Sequence, residues 1–481
     1  MKRKTVSRRD FLRMSALTAA TAAGAAALGG CGPAPTPEVV KETVEVPVKE
    51  TVEVPVKETV VVEVTPEPPP APEPVTIKYW RHFTPSEEEV TKKLVEAFKD
   101  VEPSITVEYE PIPDNDYYPK LNTALAAGEA ADVFAVYTQM WESYYRKGVM
   151  APVDVTAFGC SSVDEMIEKK FKPGSMDFAV MDGELYAPGM PEYGTWAEAY
   201  NQECFDRAGV DYPAEDQVFT WEEYFEQAVQ LTLRDAGGKM TQMGDGQWFT
   251  SMDNPFGCAI ILDPMFKQLG GDAYDEATGQ PINREVWTQI ANIMADCSLG
   301  GSYGYVDVGF PSGMNAHPEV FSGRIAQVPA GPWAVGWGTS VNPDLKLGFY
   351  PLPAVDDAHN AAINVGWVWT IYADSPPEKQ VAGCKWINFM SSLDSAKQLY
   401  DAGGLVQPIL SEDYDNFMIV KLPAMKLFLR ENARARNPVW GDEGTERWDI
   451  IRKMGEAIFK TGEDPDTAVE TAWSALEAMA A

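Results

Sequence analysis

Histidine, cysteine and positive charge are all scarce in this 481-residue chain, and each shortage removes a class of function. The three histidines, His82, His317 and His359, lie far apart in sequence, which argues against a histidine-based metal centre. Six cysteines contain no C-x-x-C spacing; five follow Cys31, an odd number, so no disulfide framework is implied. Burial as small hydrophobes is their expected role, with a single bridge between some pair left open. The Gly-x-Ser-x-Gly elbow, the phosphate-binding loop, the dinucleotide fingerprint and zinc spacings are all absent. No cofactor and no metal are expected. With 39 Lys+Arg against 72 Asp+Glu the net charge is −33, so nucleic acid and anionic lipid would be repelled on average. No apolar run after Cys31 approaches the length of a membrane span.

What is present begins at the N-terminus. "SRRDFLR" sets Arg8 and Arg9 ahead of Phe11 and Leu12, and an alanine-rich, mildly apolar run then ends at "LGGC". A charged start, an apolar middle and a small-residue exit are the layout of an export signal. "SRRDFL" resembles the twin-arginine signal motif, and "LGGC" resembles a lipoprotein cleavage box. The resemblance implies a signal peptide over residues 1–30 and lipidation of Cys31, which would become the new N-terminus. Residues 31–74 then change character: "KETVEVP" occurs at 41–47 and again at 49–55, and "TPEPPPAPEP" follows. Proline at that spacing, without large side chains, builds no core, so a disordered stalk is expected. At ~3.1 Å per residue of extended chain it would reach on the order of 130 Å.

The remaining 75–481 is long enough for two domains. "VTIKYW" (75–80), "ITVEYE" (105–110) and "DVFAVY" (132–137) read as strands, separated by helical periodicity that stops at Gly128. This β-α-β-α-β order predicts a parallel sheet, with ligands beyond the carboxyl ends of its strands, at Trp80–His82 and Tyr137–Trp141. "FAVMDGELYAP" (178–188) predicts a tight Asp-Gly hairpin. Helices are expected at 220–231, 285–295 and the C-terminus, and strands at 346–352 and 366–373.

Aromatics are the selective signal. Of 14 tryptophans, several stand in Gly/Pro-rich or strand-end settings: Trp80, Trp141, Trp196, Trp333, Trp337, Trp367 and Trp440. An indole offers a flat apolar plate with an electron-rich face. A sugar ring offers the complement, a face of C–H groups rimmed by hydroxyls. The same plates would hold a quaternary ammonium by cation–π attraction, and net negative charge would help. "GPWAVGWG" (331–338) reads as a glycine-rich loop presenting Trp333, with Trp337 packed beneath it. With 72 carboxylates, two lying near each other would carry no information about catalysis.

"YPKLNTALAAGEAADVF" (118–134), "DGELYAP" (182–188), "AYNQECFDRAGV" (199–210) with "TWEEY", "GPWA" (331–334), "YPLP" (350–353), "NVGWVWTI" (364–371) and "GGLVQP" (403–408) occur in that order. The series resembles the substrate-binding proteins of ABC importers, specifically the maltose-binding-protein-like family-1 sugar binders, from about Val75 to the C-terminus. That resemblance implies an α/β, two-lobed periplasmic-binding-protein fold of type II-like connectivity, with a hinge between lobes. Lobe 1 would take 75–188 and 358–405, and lobe 2 would take 189–357 and 406–481. It implies ligand contacts at Trp80, His82, Thr138, Gln139, Tyr193, Trp196, Trp333, Gly366 and Trp367. Asn254, Phe256 and Trp440 are further contacts of the same kind. The family commonly has Gly-Gly where this chain has "NVG". The implied protein is a non-enzymatic, monomeric receptor outside the cytoplasm, exported by the twin-arginine route and tethered to the membrane through lipidated Cys31. It would hand a carbohydrate to an ABC permease with separate ATPase subunits. A cationic or amine solute, or a secreted carbohydrate-active enzyme, are the alternative readings.

Overall fold

The computed structural model describes residues 73–83, 85–310, 316–355, 364–433, 435 and 443–480. The signal over 1–30, Cys31, the stalk up to residue 72, Trp440 and the expected lobe boundary at 358 lie outside the described residues.

The alternating strand and helix periods fold as they read. Strand β1 (Val75–Phe83), helix α1 (Pro85–Val101), β2 (Ile105–Pro113), α2 (Asp114–Ala127) and β3 (Val133–Tyr137) follow in that order. Helix α2 stops at Gly128, whose φ of 73° lets its N–H turn back to the carbonyls of Ala124 and Leu125. Asp182 and Gly183, at φ of 53° and 83°, turn the hairpin β4 (Val180–Met181) and β5 (Glu184–Leu185). Then come β6 (Glu192–Thr195) and β7 (Ala197–Asn201), a small hairpin of β8 (Leu233–Arg234) and β9 (Met240–Gln242), and helices α3 (Gln247–Asp253) and α4 (Pro255–Gln268). Strand β10 (Gln327–Ala330), helix α5 (Trp333–Val341), β11 (Leu347–Tyr350), β12 (Asn364–Ile371) and helix α6 (Pro377–Met390) complete the labelled elements.

Two sheets organise two lobes. The first has the order β2-β1-β3-β12-β6, with β1, β2 and β3 parallel and β12 antiparallel to both β3 and β6. The second is the antiparallel β10-β7-β11. Because β6 pairs with β12, the first sheet extends past residue 188 to Thr195, and the chain changes sheets at Trp196. Gly366 permits this pairing: a Cβ there would lie 2.1 Å from the Glu192 carbonyl oxygen.

Each lobe buries its own apolar core. Ile77, Tyr79, Phe98, Trp369 and Trp386 close the first, where Trp369 Nε1 donates to the Tyr79 hydroxyl at 2.9 Å. Phe225, Trp248, Met265 and Trp287 close the second. Full burial of each large apolar side chain contributes about 1.5–3 kcal/mol. Met140 packs against both cores. Cys160, Cys204, Cys258, Cys297 and Cys384 are all buried free thiols.

One expectation fails. "GPWAVGWG" is no loop: Pro332 precedes helix α5, which contains Trp333 to Val341. The glycines are there for packing. A Cβ on Gly336 would lie 3.3 Å from the Gly403 backbone, and one on Gly338 would lie 2.4 Å from Leu345 Cδ2. Trp333 and Trp337, four residues apart, therefore share one helix face, with ring centroids 5.9 Å apart.

Candidate functional site

The carboxyl ends of β1 and β3 and the middle of β12 bring aromatic rings together on the first lobe. His82 lies flat on Trp367, with centroids 3.4 Å apart and planes 13° apart. Tyr137 packs on the other side of this group, 4.0 Å from Trp367, and Tyr118 of α2 stacks on both. The Tyr137 backbone N–H donates to the Tyr118 hydroxyl at 2.8 Å, which pins the strand end. Burial, reinforced by the positive charge of Arg81, holds the His82 imidazole well below its ordinary pKa, so it stacks as a neutral ring.

The second lobe answers with an edge-on group. Trp196, where the chain enters β7, meets Trp333 at 5.7 Å and 69°, and Phe256 of α4 at 6.5 Å and 78°. His317 sits against Trp196, Trp333 and Trp337. Its Nε2 lies 3.0 Å from the Pro329 carbonyl, which only accepts, so that nitrogen carries the proton. Burial lowers its pKa to about 4, and the ring is neutral at working pH. The two groups touch across the lobes: Tyr137 and Phe256 stack with centroids 3.9 Å apart and planes at 18°.

Beside the rings runs a lane of neutral polar groups. Thr138 Oγ1 donates to Gln139 Oε1 at 2.9 Å, and Gln139 Nε2 donates to the Asn364 carbonyl at 3.1 Å. Asn364 Nδ2 donates to the Tyr193 hydroxyl at 2.9 Å, while Asn364 Oδ1 has no hydrogen-bond partner among the described residues. Glu192, Tyr193, Trp196, Pro332, Trp333 and Val406 line the narrow cleft between the lobes. These are groups for binding by stacking and hydrogen bonding. Among the described residues no cluster of three His, Cys, Asp or Glu side chains is placed to hold a metal.

A larger groove, about 1010 Å³, lies elsewhere, between α2 and the turn at 372–379 of the first lobe. Of its rings, Trp80 and Tyr372, Trp80 is capped by Lys120, whose Nζ is 4.5 Å from the centroid. Of its carboxylates, Asp132 already accepts from Ser375 at 2.7 Å and from Lys379 at 3.2 Å. The ring-lined cleft is the better site, because both lobes build it and the polar lane adjoins it.

Of the expected contacts, Tyr193, Trp196 and Trp333 line that cleft, and His82, Trp367, Phe256, Thr138 and Gln139 join them through the ring contacts and the polar lane. It sets Trp80 in the separate groove. Gly366 backs onto β6, and the Asn254 side chain accepts from the Gly257 N–H at 2.8 Å as the cap of α4. Trp440 lies outside the described residues. Tyr118, His317 and Asn364 were missed. Tyr137 lies at the strand end where the sheet order places ligand, and its position is the signal that finds it.

Residues 84–397 match the family model for bacterial extracellular solute-binding proteins. The solved structure of an ABC substrate-binding protein from Listeria monocytogenes, in complex with cycloalternan, is 20% identical with a TM-score of 0.67; the match covers 85% of this chain and 99% of that one. The GacH receptor of Streptomyces glaucescens, solved unliganded and with acarbose, is 22% identical with a TM-score of 0.67, covering 83% of this chain and 97% of that one. At such identities these likenesses show the fold: mixed α/β with two lobes, as expected. Three Brucella proteins whose names carry the words "binding protein" are 27% identical over 141 residues, 29% of this chain; the match spans 31% of their own length.

Proposed function

The chain belongs to the family of bacterial extracellular solute-binding proteins, and we propose that it captures a sugar or oligosaccharide in the ring-lined cleft and delivers it to an ABC importer. The observation that carries this reading is the convergence of rings from both lobes beside neutral amide and hydroxyl groups. Aromatic faces attract the C–H faces of a pyranose, and the polar lane takes its hydroxyls. In this reading the first lobe takes residues 75–188 and 358–405 together with β6, and the second takes the rest of 189–357 with 406–481, the two closing on the ligand about a hinge. The receptor is a monomer, exported by the twin-arginine route and tethered by lipid on Cys31, and its permease and ATPase are separate chains. Among the described residues no helix is long and apolar enough to cross a membrane.

Glycoside cleavage needs two carboxyl groups reachable by substrate, and the second lobe's close acid pair, Glu198 and Asp245, at 0% exposure is not such a pair.

Thermal shift across a panel of mono- and oligosaccharides identifies the ligand, since a bound ligand raises the melting temperature by mass action. Trp333→Ala should then weaken the best sugar by about tenfold, the scale of a lost aromatic platform. Unchanged affinity would reject the stacking role. Half-buried Glu192 on the cleft wall favours a second reading, a cationic solute. That ligand would bind less tightly as salt rises, whereas a neutral sugar is nearly indifferent to salt.

A further inference from the structure

Four rings form a column that passes from one lobe to the other: His82, Trp367, Tyr137 and Phe256, with successive centroids 3.4, 4.0 and 3.9 Å apart. The first three belong to the first lobe and pack with its core, and the fourth packs against the core of the second. The Tyr137–Phe256 step is the one that lobe opening separates. Both rings are held from behind. Tyr137 leans on Trp367 and Tyr118, and its backbone is bonded to the Tyr118 hydroxyl. Phe256 meets the edge of Trp196 and sits in the first turn of α4, whose start is capped by Asn254. Two braced, nearly parallel faces from opposite lobes are the geometry of a clamp.

We propose that Tyr137 and Phe256 grip one pyranose ring between them and thereby select a ring with C–H groups on both faces, a gluco- or xylo-configured unit. The inference rests on the sugar-binding reading above. Opening the lobes by about 4 Å, one van der Waals layer, turns the stacked pair into a slot for one saturated ring. In a β-configured glucopyranose every ring substituent is equatorial, so both faces present only axial C–H groups and each meets an electron-rich ring face. An axial hydroxyl, as at C4 of a galactoside or C2 of a mannoside, would press against one ring. There it would lose its water without gaining an equivalent partner. The equatorial hydroxyls project around the rim, and Thr138 and Gln139 directly follow Tyr137 in the chain. One flat ring alone would tolerate an axial hydroxyl on the side facing away; two facing rings do not.

Epimer pairs test this. Cellobiose and lactose differ only at one C4 hydroxyl, and so do methyl β-D-glucopyranoside and methyl β-D-galactopyranoside, which carry no second ring. Titration of the full chain, followed by calorimetry, should give the gluco member of at least one pair about tenfold tighter binding. Phe256→Ala and Tyr137→Ala should bring that ratio close to one by weakening the gluco member. Phe256→Leu, which keeps bulk without a ring, should do the same with an unchanged unliganded melting temperature. Trp333→Ala should weaken both epimers alike. If the methyl galactoside binds as tightly as the methyl glucoside, or the ratio survives loss of either ring, the clamp is wrong while the sugar-binding reading stands. If no sugar in the panel binds, both fall together.

Discussion

Two buried acid sites, one in each lobe, are neutralised in opposite ways. In the first, Arg81 and Glu87 form an ion pair at 2.8 Å, with side chains 1% and 5% exposed. In the second, two acids share one interior. Tyr224 Oη lies 2.6 Å from Asp245 Oδ1 and 3.1 Å from Glu198 Oε1, and the Tyr305 hydroxyl donates to Asp245 Oδ2 at 3.0 Å. One tyrosine proton cannot serve both acids. Burial, and then the charge of Asp245, hold Glu198 well above the carboxylate range, so Glu198 is the neutral acid. Its O–H then donates to Tyr224, which donates to Asp245. Burial likewise raises Asp245, against the hydrogen bonds of Tyr224, Tyr305 and Gln247. Tyr224, Tyr305, Tyr350 and Cys297 are titratable neighbours of this pair. The first lobe neutralises a buried charge with its opposite, and the second does so with a proton. The lesson is that equal burial carries different liabilities: partner loss in one lobe, pH in the other.

The largest effect should come from breaking the matched pair. Glu87→Ala removes the ion-pair partner of Arg81 at 0% exposure and leaves Glu192 as the acid still acting on it, which costs about 3–5 kcal/mol. Denaturant melts read this directly, and a loss below about 1 kcal/mol would equate the pair with a surface bridge. Glu198→Gln should instead be mild, and its effect should depend on pH. Because Glu198 keeps its proton in the fold, the unfolded chain releases it first as pH rises past the ordinary glutamate value. Stability is then lost by up to ~1.4 kcal/mol per pH unit until the folded group also ionises. Glutamine removes that slope, so the variant gains on wild type from mildly acidic to alkaline pH. Parallel curves at all pH values would show Glu198 to be an ordinary carboxylate. The acid side belongs to both lobes: neutral His82 and His317 lose their contribution as pH falls below the ordinary histidine value, for His317 down to about 4.

The same contrast explains what the sequence made legible. Strand ends are periodic features, so the first lobe's sheet and its ring positions could be read from alternation and the stops at Gly128 and Asp182-Gly183. Alternation misplaced only Trp80. It shares a strand with His82 but sits two residues, about 7 Å, back from the end, beneath Lys120 rather than at the cleft. The second lobe's rings stand on helices and turns fixed by distant partners. Gly336 and Gly338 look like helix breakers locally, yet they are the residues that let α5 press against Gly403 and Leu345. His317 had no local signal, because its partners Trp196, Pro329 and Trp333 come from three different segments. The acid pair was hidden among 72 carboxylates, with Glu198 and Asp245 47 positions apart in the chain.

The smallest effect separates holding a ring from touching a ligand. Asn254 was expected as a contact, yet its side chain caps α4 two residues before Phe256. Asn254→Ala should cost about 1 kcal/mol of stability through the lost cap, and Asn254→Ser should restore most of it. If Asn254 acts only through the helix, sugar affinity should follow the cap, falling in the alanine variant and recovering in the serine variant. Should affinity fall equally in both, the amide itself reaches the ligand. The first lobe offers no equivalent substitution, because its rings hang on strand ends whose backbone is bonded within the sheet and to the Tyr118 hydroxyl. The second lobe's ring is set by a helix start, so its position is tunable by a single side chain that need not meet the sugar.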